Sequence, residues 1–99
     1  MPRKLATLQP VSSWLVQGTT ELGQHVRNQR ATLGLRIDDA AALCGVSSDV
    51  LSRFENGKPV TTNKLMLIMN GFGMQLIPLP TRHAMALIPS LEAIQNSKE

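Results

Sequence analysis

Apolar residues between positions 19 and 72 recur every three or four positions, which is the spacing of amphipathic helices. Gly34, Gly45 and the pair Asn56-Gly57 interrupt this pattern, and residues of these types commonly end helices. The pattern therefore predicts four helices, at about residues 19–32, 37–44, 47–55 and 61–72. Their inward-facing positions are Leu22, Val26 and Leu33 in the first, Ile37, Ala40, Ala41 and Cys44 in the second, Val50, Leu51 and Phe54 in the third, and Leu65, Ile68, Met69 and Phe72 in the fourth.

Short polar side chains that can cap a helix stand before three of these segments. Thr19 or Thr20 is placed to cap the first helix, Ser47 the third, and Thr61 or Thr62 the fourth. The second helix begins at Arg36 and Ile37 instead. Because an arginine side chain has no hydrogen-bond acceptor, we expect this helix to begin without a side-chain cap.

The hydrophobic pattern changes after Gly73. Residues 74–80 read MQLIPLP, a short apolar run closed by Pro78 and Pro80, which predicts a strand at a sheet edge rather than a helix. A single strand in a helical chain has no partner for its backbone groups, so we expect a second copy of the molecule to supply one. The predicted dimerisation strand consists of Met74, Gln75, Leu76, Ile77 and Leu79.

The tail after this strand is richer in apolar residues than a free tail needs to be. It carries Met85, Leu87, Ile88, Leu91 and Ile94, with Pro89 among them. Three interpretations stay open: packing on its own domain, disorder, and contact with a partner protein. The chain thus divides into an N-terminal extension (1–18), a helical domain with its terminal strand (19–79) and a C-terminal tail (80–99).

Composition narrows the class of protein. The chain has 99 residues, the length of one domain with tails, and a net charge of +3. This charge permits a polyanionic partner without requiring one, since residues 31–60 sum to −1. The single cysteine, Cys44, excludes a disulfide framework and is interpreted as a small buried hydrophobic residue. No run has the length of a membrane span or the character of a signal peptide, so we expect a cytoplasmic protein.

No arrangement of residues predicts catalysis. His25 and His83 have no neighbouring cluster of ligand residues, so we expect surface histidines rather than a metal site. The sequence has no paired carboxylates, no glycine-rich phosphate loop and no nucleophile elbow. We therefore expect a protein that is not an enzyme, with no catalytic residues, no metal and no cofactor.

The second and third predicted helices form a helix-turn-helix candidate, because they are short and only a tight glycine turn separates them. Ala41 allows the two helices to approach closely, and Gly45 allows the chain to reverse between them. The third helix leaves small polar residues and an arginine facing outward. A DNA major groove accepts one helix, and side chains near the start of that helix contact base edges.

Residues 22–76 resemble the Cro/phage-repressor helix-turn-helix family, also called XRE-like. The stretches LGQHVRNQRATLGL, GVSSDVLSRFENGK and TTNKLMLIMNGFGM carry this resemblance. It implies an all-α, lambda-repressor-like domain in which Arg30 and Glu55 form an ion pair between the first and third helices. The fourth helix runs into MQLIPLP rather than a fifth helix, which resembles HipB-like antitoxins. That narrower resemblance implies a short C-terminal β-strand pairing across a dimer, operator DNA as a ligand and a HipA-like kinase toxin as a partner.

The resemblance also implies a set of DNA-contacting residues. Base contacts fall to Ser48, Asp49, Ser52 and Arg53, and contacts to the phosphate backbone fall to Asn56, Lys58 and Asn63. Arg53 is the best single candidate, because a guanidinium can bond guanine O6 and N7 together. Asp49 can accept from cytosine N4 or merely complement the helix dipole. Ser47 can both cap the helix and contact DNA. The family commonly begins its second helix with a Thr or Asn cap followed by a phosphate-binding glutamine, where this chain has Arg36 and Ile37, so Arg36 is the candidate to supply the missing phosphate contact.

Together these features predict a homodimeric, sequence-specific regulator of transcription that binds double-stranded operator DNA. The HipB-like layout suggests an antitoxin and autorepressor of a toxin–antitoxin operon, with no membrane association. Two alternatives stay open: a protein-interaction module with little DNA binding, and a stand-alone XRE-type repressor.

Overall fold

The computed structural model describes residues 14–96, and within that range the secondary structure is entirely helical. The helices are α1 (Thr19–Leu33), α2 (Ile37–Cys44), α3 (Ser48–Glu55), α4 (Thr62–Gly71) and α5 (Thr81–Asn96). The first four occupy the segments that the hydrophobic pattern predicts. Most of the predicted N-terminal extension and the last residues of the tail lie outside the described residues.

Side-chain caps begin α3 and α4 as predicted. The Ser47 hydroxyl accepts from the Val50 amide at 3.1 Å, and the Thr61 hydroxyl accepts from the Lys64 amide at 3.2 Å. At the start of α2, Arg36 makes no capping bond, which confirms the expectation for that helix. The recognition-helix candidate α3 therefore has a well-defined first turn.

The predicted threonine cap of α1 is wrong. Gly18 occupies the cap position, and Thr19 and Thr20 already belong to the helix. The Thr19 hydroxyl instead donates to the carbonyl oxygen of Gly57 at 2.8 Å. This bond connects the first turn of α1 to the loop after α3, so tertiary contact takes the hydroxyl that a local cap would have used.

The core lies among α1, α2, α3 and α4. Its buried hydrophobic residues are Val26, Ala40, Ala41, Cys44, Leu51, Phe54, Ile68, Met69 and Phe72. Leu33, predicted to face inward, is 47 % exposed, because the buried positions of α1 end one turn earlier at Arg30. Burial raises the pKa of the Cys44 thiol, and the charge of Glu55 adds to the shift, as expected for a cysteine that serves as a core residue.

Two glycines let the helices pack closely. A Cβ atom on Gly23 would meet the carbonyl oxygens of Phe54 and Glu55, so the backbones of α1 and α3 are nearly in contact there. A Cβ atom on Gly71 would lie 2.6 Å from the Cα atom of Cys44, where α4 crosses α2. Real Cβ atoms do not approach backbone this closely, so both crossings require a residue without a side chain.

Residues 74–80 have no regular secondary structure within the described part of the chain. A strand that pairs across a dimer has no partner in a single chain, so the predicted dimerisation strand stays a prediction. After it, the tail forms the helix α5, which starts with the amides of His83 and Ala84 bonded to the carbonyl of Pro80 and contains Pro89 in its interior. No helix among residues 14–96 combines the length and apolar character needed to cross a membrane.

Candidate nucleic-acid interface

The turn between α2 and α3 depends on Gly45, which adopts the left-handed conformation with φ of 77°. Residues with a Cβ atom rarely adopt this backbone conformation, so glycine permits the sharp reversal here. The next amide, on Val46, donates to the carbonyl of Ala41 at 3.0 Å, and Ala41 itself is buried. The two helices are thus held in a close and defined crossing, the geometry that the helix-turn-helix interpretation requires.

The first turn of α3 presents polar side chains to solvent. Ser47 and Asp49 are exposed, and Ser48 and Ser52 are half-buried. The Ser48 hydroxyl donates to Oδ1 of Asp38 at 2.7 Å, which ties the first turn of α3 to the first turn of α2. Ser48, Asp49 and Ser52 therefore lie on one accessible helix, which Ser47 caps. Of these four residues, only Ser48 has its side chain bonded to a neighbouring helix.

Arg53, the predicted guanine reader, lies in the last turn of α3. Its Nη2 atom donates to the carbonyl of Pro59 at 3.1 Å, so the guanidinium is held beside the loop that joins α3 to α4. The side chain is exposed, and one bond leaves most of its five N–H donors free. Arg53 is therefore oriented by the protein while remaining able to bond a base.

The ion pair between α1 and α3 is present and nearly ideal in geometry. Arg30 Nε and Nη2 donate to the two carboxylate oxygens of Glu55 at 2.7 and 2.9 Å, and both residues are buried. Arg30 Nη1 also donates to the carbonyl of Leu35 at 3.1 Å. The hydrogen bond to Glu55 raises the pKa of Arg30 above its already high ordinary value, against the opposing effect of burial. The stability linked to the raised pKa of Arg30 is therefore fully present at neutral pH and is lost as the pH rises through that pKa in strongly basic solution.

Arg27 adds a second cation that sequence reasoning missed. Its Nε atom lies 3.6 Å from Oε1 of Glu55, too far for a hydrogen bond but close enough for ionic attraction. Its Nη2 atom donates to Oδ1 of Asn56 at 3.3 Å. The spacing of Arg27 and Arg30, three positions apart on α1, was the available signal, since such residues share a helix face.

The Asn56 side chain forms hydrogen bonds with other groups of the protein. Besides accepting from Arg27, its Nδ2 atom donates to the carbonyl of Ser52 at 2.8 Å and so caps the end of α3. This arrangement gives Asn56 a structural role that the predicted phosphate contact did not include. Gly57 follows with φ of 78° and packs against Thr20, so the end of α3 is braced by the start of α1.

The other residues predicted to contact phosphates have side chains that are free to bind a ligand. The side chains of Arg36, Lys58 and Asn63 are exposed and make no hydrogen bond or ion pair with other groups among residues 14–96. Asn63 lies in the first turn of α4, where backbone amides point out of the helix and favour an anion. These three residues surround the α2–α3 unit in sequence and are free to move toward a ligand.

No group of three potential metal ligands exists within residues 14–96. His25, expected at the surface, is instead half-buried, and its ring stacks on Trp14 with centroids 5.3 Å apart. That expectation is wrong because the segment before α1 folds back over the helix. Around the short exposed helix α3, the surface therefore offers hydrogen bonding and charge.

Comparison with known proteins defines the class. Residues 21–75 match the family described as "Helix-turn-helix domain", which is more than half of the chain. The chain belongs to this helix-turn-helix domain family, and the match supports a DNA-binding regulator. The match includes every predicted DNA-contacting residue and ends before α5.

One solved structure gives a more particular likeness. A chain in the "Structure of HipA-HipB-O2-O3 complex" matches with a TM-score of 0.62 and 19 % sequence identity, over 68 % of this chain and 96 % of the other. At this identity the likeness concerns the fold. With the family match it confirms the resemblance to XRE-like helix-turn-helix proteins with a HipB-like layout. No curated protein matches the chain in sequence.

Proposed function

We propose that the chain is a sequence-specific transcriptional regulator that binds a palindromic operator as a homodimer. The observation that carries this proposal is the α2–α3 unit, whose second helix is capped by Ser47, anchored by Ser48 and exposed along its polar face. A helix in this setting can enter a major groove without first being ordered by DNA.

The proposed contacts divide by what each residue is free to do. Ser48, Asp49, Ser52 and Arg53 contact base edges, with Arg53 bonding a guanine. Arg36, Lys58 and Asn63 contact phosphates, which fix orientation without reading sequence. Ser47 lies at the start of α3, where backbone amides face the DNA. Asn56 acts mainly by holding the end of α3 in place.

A homodimer gives this unit its specificity, since two symmetric recognition helices read two half-sites about 34–36 Å apart. Support for the dimer comes from residues 75–79. The amides of Gln75, Leu76, Ile77 and Leu79 donate no hydrogen bond to any group among residues 14–96. Unpaired backbone in an apolar segment favours pairing with the same segment of a second copy.

We also propose that the regulator is the antitoxin of a toxin–antitoxin operon, that it represses its own operon and that its protein partner is a HipA-like kinase. The likeness in fold to a chain of the HipA-HipB-O2-O3 complex supports this role. Met66 and Leu67, exposed apolar residues of α4 outside residues 74–79 and α5, are also available to a protein partner.

DNA binding is tested by titrating the full chain with a duplex selected from a random library and with its own upstream region, at several salt concentrations. We expect the logarithm of affinity to fall linearly with the logarithm of salt, since phosphate contacts release counterions. Lys58→Ala should weaken binding to all sequences alike and reduce the slope by about 1.

Arg82→Ala is the matched control, because it removes the same charge from exposed α5 and should leave the slope unchanged. Retention of no duplex at low salt would instead favour a protein-interaction module. The exposed acidic residues Asp38, Asp39 and Asp49 would explain such a result, since they repel a phosphate backbone.

A further inference from the structure

An apolar groove of about 520 Å³ lies between α5 and the rest of the chain. Its floor includes Leu22, His25 and Met69, and its walls are residues 14–16, residues 74–79 and one face of α5. Among residues 14–96, no aspartate, glutamate, lysine or arginine lines it. The groove is partly open to solvent and lined mainly by apolar side chains, and such concave apolar surfaces commonly receive a partner.

One wall of the groove offers backbone amides to an occupant. Residues 75–79 carry the unpaired amides described above, and Leu76, Ile77 and Leu79 are exposed, Ile77 by 66 %. An extended segment with both carbonyl groups and apolar side chains complements this wall. A charged peptide or a compact polar ligand does not meet both needs.

The opposite wall is an incompletely covered helix stripe. Ala84, Leu87, Ile88, Leu91 and Ile94 follow helical spacing on one side of α5, and the first four line the groove. Leu87 is 40 % exposed and Ile94, beyond the groove, is 60 % exposed. The helix thus presents more apolar surface to this side than its own domain covers.

We propose that a second copy of the chain fills this groove, so that α5 of each copy closes over the paired 74–79 segment of its mate. The inference rests on the proposed homodimer and extends it to α5 and residues 14–16. The second copy is the occupant because its own 74–79 segment is apolar and uncharged and carries the carbonyl groups that the unpaired amides can bond. A two-stranded ribbon alone is marginally stable in water, and α5 supplies the apolar layer that such a ribbon needs.

Sedimentation equilibrium of the full chain tests this arrangement. Leu87→Ser removes an apolar side chain from the groove and should raise the dissociation constant of the dimer at least about tenfold. Met85→Ser is the matched control, since Met85 is similarly apolar and exposed on the same helix but does not line the groove. Circular dichroism of both variants confirms that the helices remain folded.

Two further measurements separate the outcomes. Ile77→Pro removes one amide from the proposed strand pairing and should also dissociate the dimer. A dimer that Ile77→Pro breaks but Leu87→Ser leaves intact would overturn the role of α5 and keep the proposed homodimer. A wild-type chain that is monomeric at all concentrations would overturn both, while the DNA titration would still test the helix-turn-helix function.

The fluorescent probe anilinonaphthalene sulfonate reports whether the groove is open. We expect it to bind the monomeric Leu87→Ser variant and not the wild-type dimer. Binding of one probe per chain to the wild-type dimer, blocked by enlarging the Ala84 side chain in Ala84→Phe, would show that the second copy leaves the groove empty and would overturn the proposal.

Discussion

At the scale of single residues, the candidate DNA-contacting side chains fall into two groups. Arg53 and Ser48 are held by hydrogen bonds to Pro59 and Asp38 before any ligand arrives. Arg36 and Lys58 are exposed and unpaired within the described residues. Oriented groups lose less conformational entropy on binding and suit recognition of bases, whereas mobile cations suit contact with phosphates.

Arg53→Ala should therefore change specificity rather than general affinity. We expect a loss of about 1–3 kcal/mol on the selected operator and little change on unrelated duplexes, measured by fluorescence anisotropy on every single-base variant of one half-site. Arg53→Lys is the informative control, because it keeps the positive charge but loses the rigid planar fork of the guanidinium, and it should therefore restore general affinity more fully than discrimination. An equal loss on all sequences would assign Arg53 to the phosphate backbone instead.

At the scale of helices, the close crossing of α1 and α3 depends on Gly23. The structure leaves no space for a Cβ atom between this residue and the carbonyls of Phe54 and Glu55. The buried bond between Arg30 and Glu55 lies across the same helix pair, so the crossing and the ion pair constrain each other. The recognition helix is thus oriented from behind by α1 as well as from its side by α2.

Gly23→Ala should destabilise the fold although alanine is the better helix former. Intrinsic propensity favours the change by about 1 kcal/mol, but the forced separation of two packed backbones should give a net loss of about 1–3 kcal/mol. Thermal and denaturant unfolding measure the difference. Gly18→Ala is the control for the added methyl group, since a Cβ atom at Gly18 meets nothing within 4 Å. Because Gly18 is also the cap residue of α1, where alanine is less favourable than glycine, we expect a loss there that is smaller than that of Gly23→Ala. Equal stability of Gly23→Ala and wild type would mean that α1 and α3 can separate freely.

The helices were predictable to the extent that their signals are local. Ser47 and Thr61 cap the helices that follow them, and the apolar period identifies four of the five helices. Helix α5 was left open because Pro89 usually breaks a helix and no cap marks its start. The role of Gly23 and the contact between Thr19 and Gly57 depend on which helices cross, information that periodicity does not contain.

At the scale of the whole molecule, two surfaces have different chemistry. The α2–α3 surface is polar and carries both charges, while the surface formed by residues 14–16, residues 76–79 and α5 carries most of the exposed large hydrophobic residues. In the proposed dimer the second copy of the chain covers the apolar surface, which leaves the α2–α3 surface of each copy open to DNA.

The antitoxin role predicts a HipA-like kinase reading frame beside the gene. Expressed together, the two proteins should purify as a stoichiometric complex, and that complex should still retard the operator in a gel. A kinase of unrelated type is the control. If no such reading frame exists, or if the two proteins do not associate, a stand-alone repressor becomes the better description of the chain.

The bond from Ser48 to Asp38 has a consequence for the bases that α3 can prefer. An ionised carboxylate only accepts, so the serine proton must point at Asp38 and cannot serve a nucleobase. What remains on the hydroxyl oxygen is lone-pair density, which attracts the exocyclic amino groups of adenine and cytosine and is indifferent or repulsive toward the carbonyls of thymine and guanine. A residue that usually tolerates any base is thereby turned, by a neighbour outside the recognition helix, into one that favours amino-bearing positions.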